Sequence, residues 1–113
     1  IDNMKDKLTI VCNGNVEEAF DDTNGKAFDY LWDCDYECTW SYIEKDDKGL
    51  SIVRVYGFEM VDNVVKKMLD NRKSNSLMKV FKGLGVNVVS VSHDVIDESE
   101  MHEMHDKLKG DEE

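Results

Sequence analysis

The residues able to do chemistry in this chain are mostly carboxylates, and their most regular run is FDYLWDCDYECTWSY, Phe28 to Tyr42. Asp29, Asp33, Asp35 and Glu37 occupy one parity there, with Leu31, Thr39 and Ser41. Phe28, Tyr30, Trp32, Cys34, Tyr36, Cys38, Trp40 and Tyr42 occupy the other. Side chains alternate faces along a β-strand, so a bulky parity turned to a core leaves the acidic parity in water. Same-face neighbours would then stand about 6.7 Å apart, a spacing comparable to that of successive phosphates on a nucleic acid. Glu17, Glu18, Asp21 and Asp22 form a second acidic cluster upstream. A stiff row of carboxylates of this kind suits a protein surface whose Lys and Arg are aimed at phosphates.

Other constellations are weaker. Cys34 and Cys38 on one strand would share a face but lie about 13 Å apart, too far for a disulfide or a common metal. Zinc would need two further ligands, and no second pair exists. MHEMH, Met101 to His105, places two histidines three apart and does not match HExxH; a core-edge histidine is the simpler role. His93-Asp94 lacks a nucleophile placed by sequence to work with it. DDTNG, Asp21 to Gly25, puts Phe20 and Leu31 at ligand positions of a calcium loop, so it is expected to be a turn. Gly83 and Gly85 follow a helical pattern and form no dinucleotide fingerprint. No catalytic residue, metal or cofactor is expected, and the chain is read as a non-enzyme.

Composition agrees with an acidic partner-binding role. The 113 residues carry a formal charge of −11, with 25 acids against 14 bases. That excludes a basic nucleic-acid binder and favours electrostatic steering toward cationic partners. The charge is uneven: residues 60–96 hold six bases and three acids, while Glu17 to Asp47 holds eleven acids against Lys26 and Lys45. Three cysteines, with neither an apolar span nor a signal-like start in the sequence, point to reduced thiols in a cytoplasm.

The elements that must position these groups are read from periodicity. Leu8–Cys12 is expected to be a strand. Residues 15–26 are ambiguous between a helix capped by Asn15 and a strand turning at Asn24-Gly25, with a lean toward the helix. Residues 28–45 read as strand, long enough that a bulge or turn near Asp33–Asp35 would split it. EKDDKG then turns into a return strand, Leu50–Phe58. Val61, Val64, Val65, Met68 and Leu69 follow helical spacing, as do Leu77, Val80, Phe81 and Leu84. Val86–Ser92 reads as a strand buried on both faces. A last helix starts near Asp97 with Met101, Met104, His105 and Leu108 inward, and residues 110–113 fray as an acidic tail.

The sum is one α+β domain spanning residues 1–113. It has a mostly antiparallel sheet of about four to five strands with helices packed on one face, approximating a split-βαβ, ferredoxin-like order. In size and acidity the chain resembles small acidic inhibitors such as phage-encoded DNA mimics and immunity proteins that block nucleases. That resemblance implies binding to a basic DNA- or RNA-binding protein in place of DNA, without direct contact to nucleic acid or membrane. The alternative is a small ligand-binding or regulatory domain, forming a homodimer or larger oligomer through an open sheet edge.

Overall fold

The computed structural model describes residues 4–21, 25–57 and 64–110. Strand β1 (Met4–Gly14) alternates cleanly. Asp6, Leu8, Ile10 and Cys12 are buried, while Lys5, Lys7, Thr9 and Val11 are half-buried on the opposite face. Strands β2 (Cys38–Lys45) and β3 (Ser51–Gly57) form the expected hairpin. Its turn is fixed by the Asp46 carboxylate, which accepts the amides of Lys48 at 2.8 Å and Leu50 at 2.9 Å. Gly49 supplies the positive φ, 84°, that closes it. Strand β4 (Val86–Asp97) completes an antiparallel sheet of order β2-β3-β1-β4.

Helices α1 (Val16–Ala19) and α2 (Lys26–Asp33) link β1 to β2. Helices α3 (Val64–Met68) and α4 (Leu77–Gly83) precede β4. Helix α5 (Glu98–Gly110) follows it. The fold is therefore α+β on a four-stranded antiparallel sheet. Element order departs from a plain β-α-β-β-α-β, because α1 and α2 share one connection, α3 and α4 share another, and a fifth helix is added.

The main core lies on one face. Leu8, Ile10, Cys12, Val53, Val55, Val86 and Val88 from the sheet meet Val16, Ala19, Phe20, Ala27, Tyr30, Leu31, Met68, Leu77 and Phe81 from helices α1 to α4 and their flanks. Phe81 is its hub, with edge-on rings of Phe20 at 5.7 Å and Tyr30 at 5.8 Å. The opposite face carries a smaller cluster of Tyr56, Ile96 and Met101, with Trp40, Tyr42 and Met104 against it. Helix α5 thus covers a part of the face that was expected to be helix-free. Asp97 starts that helix by accepting the Ser99 amide at 2.9 Å. This hydrogen bond holds its carboxyl below the usual range.

The main correction concerns residues 28–33, expected as strand and found in helix α2. Two periods compete in this stretch. Period two groups Tyr30 with Trp32, whereas the helical period groups Ala27, Tyr30, Leu31 and Cys34. The helix buries Tyr30 and Leu31 and leaves Trp32 53% exposed. Burying those two side chains contributes roughly 3–6 kcal/mol, against a β-propensity scale that spans only about 1 kcal/mol. Burial decides. The break expected near Asp33–Asp35 is present, but it separates a helix from a strand.

That break is a Schellman cap. The Tyr36 amide donates to Leu31 O at 2.9 Å and the Asp35 amide to Trp32 O at 3.0 Å. Asp35 holds φ 66°, the left-handed position usually given to glycine. Leu31 and Tyr36, the residues flanking the motif, are both in the core.

Strand β4 is longer than expected and lies at the sheet edge, with Val89 and Val95 exposed, so it is not buried on both faces. The lean toward helix over 15–26 corresponds to α1 and the start of α2. The expected turn at Asn24-Gly25 lies partly outside the described residues, as do Asp22, the first residues of the helix expected from Val61, and the acidic tail beyond Gly110.

Candidate functional site

The strand-borne ladder of carboxylates does not exist. Asp29 and Asp33 sit one turn apart on the outer side of α2, Asp35 is the left-handed residue of its cap, and Glu37 lies in the link to β2. All four are exposed, but only Asp29 and Asp33 share a face. Their separation along the helix axis is about 6 Å, so a pair survives where a row was expected. Glu17 and Glu18 are exposed on α1, which packs beside α2. Asp21 is exposed in the turn after α1, and Asp22 lies outside the described residues.

The surviving acidic surface is electrostatically uncompensated. Glu17, Glu18, Asp29, Asp33, Asp35 and Glu37 make no ion pair among the described residues; the pairs found are Lys7–Glu100, Arg54–Glu44, Arg72–Asp70, His93–Asp6 and His102–Glu98. Lys45 shares an open groove of about 440 Å³ with Glu17 and Glu18 without pairing to either. Asp33 and Asp35 also stand at the negative end of α2, whose last turn has no base. Such placement costs about 0.3–1 kcal/mol per charge at low salt. The surface is held against its own repulsion by the burial of Tyr30, Leu31 and Tyr36 beneath it.

The bulky parity is distributed over three environments. Phe28, Tyr30 and Tyr36 join the main core, Trp40 and Tyr42 join the cluster under α5, and Trp32 faces solvent. Tyr36 donates to Val55 O at 2.8 Å, and burial raises its hydroxyl pKa far above the ordinary value, with Asp6 and Cys38 adding to the rise. Tyr30 donates to Asn75 O at 2.8 Å and ties α2 to the turn before α4.

The remaining titratable groups have partners of their own. His93 donates from Nε2 to Asp6 Oδ1 at 3.1 Å. Its partner is therefore Asp6 and not Asp94, whose neighbouring position on β4 faces the other side of the sheet. Asp6 and His93 are diagonal neighbours across β1 and β4, a pairing that sequence adjacency concealed. The nearby Tyr36 hydroxyl is already engaged with Val55 O. Cys12, Cys34 and Cys38 are free thiols. Burial pushes Cys12 up to about 11 and raises both others, the opposite of an activated nucleophile.

The histidines of MHEMH dock α5. The His105 ring stacks on Trp40 at 4.6 Å and shares a hydrogen bond with the Tyr42 hydroxyl. His102 meets the Trp40 edge at 5.3 Å. Among the described residues no group of three or more metal-ligating side chains comes together, and no helix is long and apolar enough to cross a membrane.

Sequence reasoning passed over one group. Lys79 and Lys82 of α4 line a groove with Asn71 and Asn87, on a segment where bases outnumber acids. The charge count pointed there, but nothing in the spacing joined Asn87 to α4. Compared with protein-family models, curated proteins and solved structures, the chain matches none.

Proposed function

We propose that this chain is a non-enzymatic acidic protein that binds a basic nucleic-acid-binding protein through the α1–α2 side and blocks it by occupying the surface meant for phosphates. The observation that supports this is the set of six exposed, unpaired carboxylates, Glu17, Glu18, Asp29, Asp33, Asp35 and Glu37, with Lys26 the one base in that span. The helical pair Asp29 and Asp33 takes the place of the strand register as the ordered element. A partner's Lys and Arg gain the attraction that these groups do not find internally. The role would be of the kind played by phage-encoded DNA mimics and nuclease immunity proteins, carried by scattered charge density in place of a linear phosphate track.

The test is affinity capture from a lysate of the source cell or its host at low salt, followed by titration of the captured protein. The expected partner binds DNA or RNA, is displaced by DNA, and loses affinity steeply between about 50 and 200 mM salt. Asp29→Asn with Asp33→Asn is expected to weaken it about tenfold, taking each rim charge at up to about 1 kcal/mol. Binding that ignores both salt and these substitutions would sink the proposal.

A further inference from the structure

Strand β4 is twelve residues long and lies at one edge of the sheet, bonded to β1 alone. Along its outer side, alternate residues turn their N–H and C=O groups away from β1. No strand of the described residues takes them up, and no backbone bond outside the ladder starts or ends between Val86 and Ile96. Sheet edges are usually guarded by Lys, Pro or a bulge. β4 has neither Lys nor Pro, and in a chain that is 35% charged its first seven residues, VNVVSVS, carry no charge. Val89 and Val95 are 53% and 56% exposed, and Val91 is half-buried. One bulge, at Val89 opposite the Val11–Cys12 step, leaves Ser90–Asp97 as regular strand.

The two ends of this strand differ in charge. At its start, Lys79 and Lys82 of α4 lie beside Val86 and Val88, exposed and without an ion pair among the described residues. At its end stand Asp94, Asp97 and Glu98. Asp97 has the parity of Val91, which packs against the main core on the face that α4 covers. An antiparallel copy of β4 therefore sets each end against its opposite, twice about one two-fold axis. We infer that a second copy of this chain pairs with the outer edge of β4, antiparallel, about a two-fold axis near Ser92, joining two four-stranded sheets into one.

With the axis at Ser92, Val91 faces the partner's His93, Ser90 faces the partner's Asp94, and Val89 stands level with the partner's Val95. An axis at Asp94 would set two carboxylates directly opposite, which destabilises a sheet. The Lys82 end lies toward the partner's Asp97 and Glu98. The acidic α1–α2 side stays clear of this contact, because α2 packs against β2 at the opposite edge of the sheet. Repulsion between two chains of −11 is thereby kept to their far ends, and charges beyond about 8 Å are screened at physiological salt. A strand of this length makes an edge about 40 Å long and about 10 Å deep, roughly 400 Å² on each chain. That is about half of the ~800 Å² per partner in a standard interface, so the dimer is a weak, reversible one.

The experiment is sedimentation equilibrium of the full chain from about 1 to 500 µM, with ¹⁵N amide spectra over the same range. The expected result is a reversible equilibrium between one and two chains of 13.0 kDa, with a dissociation constant on the order of 10–100 µM. Concentration-dependent amide shifts should fall on Asn87 to Ile96. Val89→Lys with Val95→Lys, both at exposed positions, should leave the chain folded and monomeric throughout. Lys79→Glu with Lys82→Glu should weaken the dimer at least about tenfold at low salt. Asp29→Asn with Asp33→Asn should leave the equilibrium unchanged, which separates this edge from the proposed partner surface. Four outcomes would each overturn the inference: a monomer at every concentration, shifts on β2 in place of β4, growth beyond two chains, or a dimer indifferent to the edge lysines. Should the double lysine variant unfold, the position of the shifts in the unaltered chain decides.

Discussion

Leu31→Ala and Trp32→Ala together decide whether residues 28–33 are packed as a helix. Leu31 falls on the acidic parity of the sequence and would face water on a strand, where its truncation would change stability by no more than about 0.5 kcal/mol. In helix α2 it is completely buried in the main core. Removing it there costs the transfer of its methyl groups and leaves a cavity beneath α2, about 2–5 kcal/mol in all. Trp32 behaves in the opposite way. On a strand it would be a core aromatic, and its loss would cost about 3–5 kcal/mol; in the structure it is 53% exposed. Its truncation should cost about 1–2 kcal/mol, because part of its remaining contact area is also covered in the unfolded chain. Urea unfolding followed by far-UV circular dichroism measures both. With a slope of about 1.5 kcal/mol per molar, Leu31→Ala should lower the midpoint by about 2 M and Trp32→Ala by less than about 1.3 M. A Trp32→Ala variant less stable than Leu31→Ala would refute helix α2 and the placement of Asp29 and Asp33 that depends on it.

Two further outcomes follow from the backbone and from the buried thiols. Gly14 holds φ 98°, and a Cβ there would stand 2.2 Å from Gly85 O, so Gly14→Ala should destabilise by more than about 2 kcal/mol. Gly49→Ala, also at positive φ but in open space, should cost only about 1 kcal/mol in the same melts. A maleimide at pH 8 should leave Cys12 unlabelled in the native chain and label it after unfolding in urea, because the native thiol is buried and titrates near 11. Rapid native labelling of Cys12, located by mass spectrometry, would show that the sheet core around it is not closed.

The amino-acid sequence alone determined the α+β class, the β2–β3 hairpin with its EKDDKG turn, strand β1 through Leu8, Ile10 and Cys12, and the start of α5 at Asp97. Each of these is written in local signals: an alternating pattern, a turn residue with its own hydrogen bonds, a capping carboxylate. The basic character of the α3–α4 segment was equally legible, because charge is a property of composition. What only the tertiary structure decided was the fate of the run from Phe28 to Tyr42. That run satisfies both the two-residue and the helical period, and an Asp stands where a helix cap usually shows glycine, so no local signal separates the alternatives. The choice was made by Phe81, Tyr36 and the sheet face beneath them. They offer Tyr30 and Leu31 a burial that is worth several times any local strand preference. The same distant packing brought Asp6 to His93 and Trp40 to His105. Such pairings across strands and helices depend on which faces meet, and the residues concerned are too far apart in the chain for spacing to reveal them.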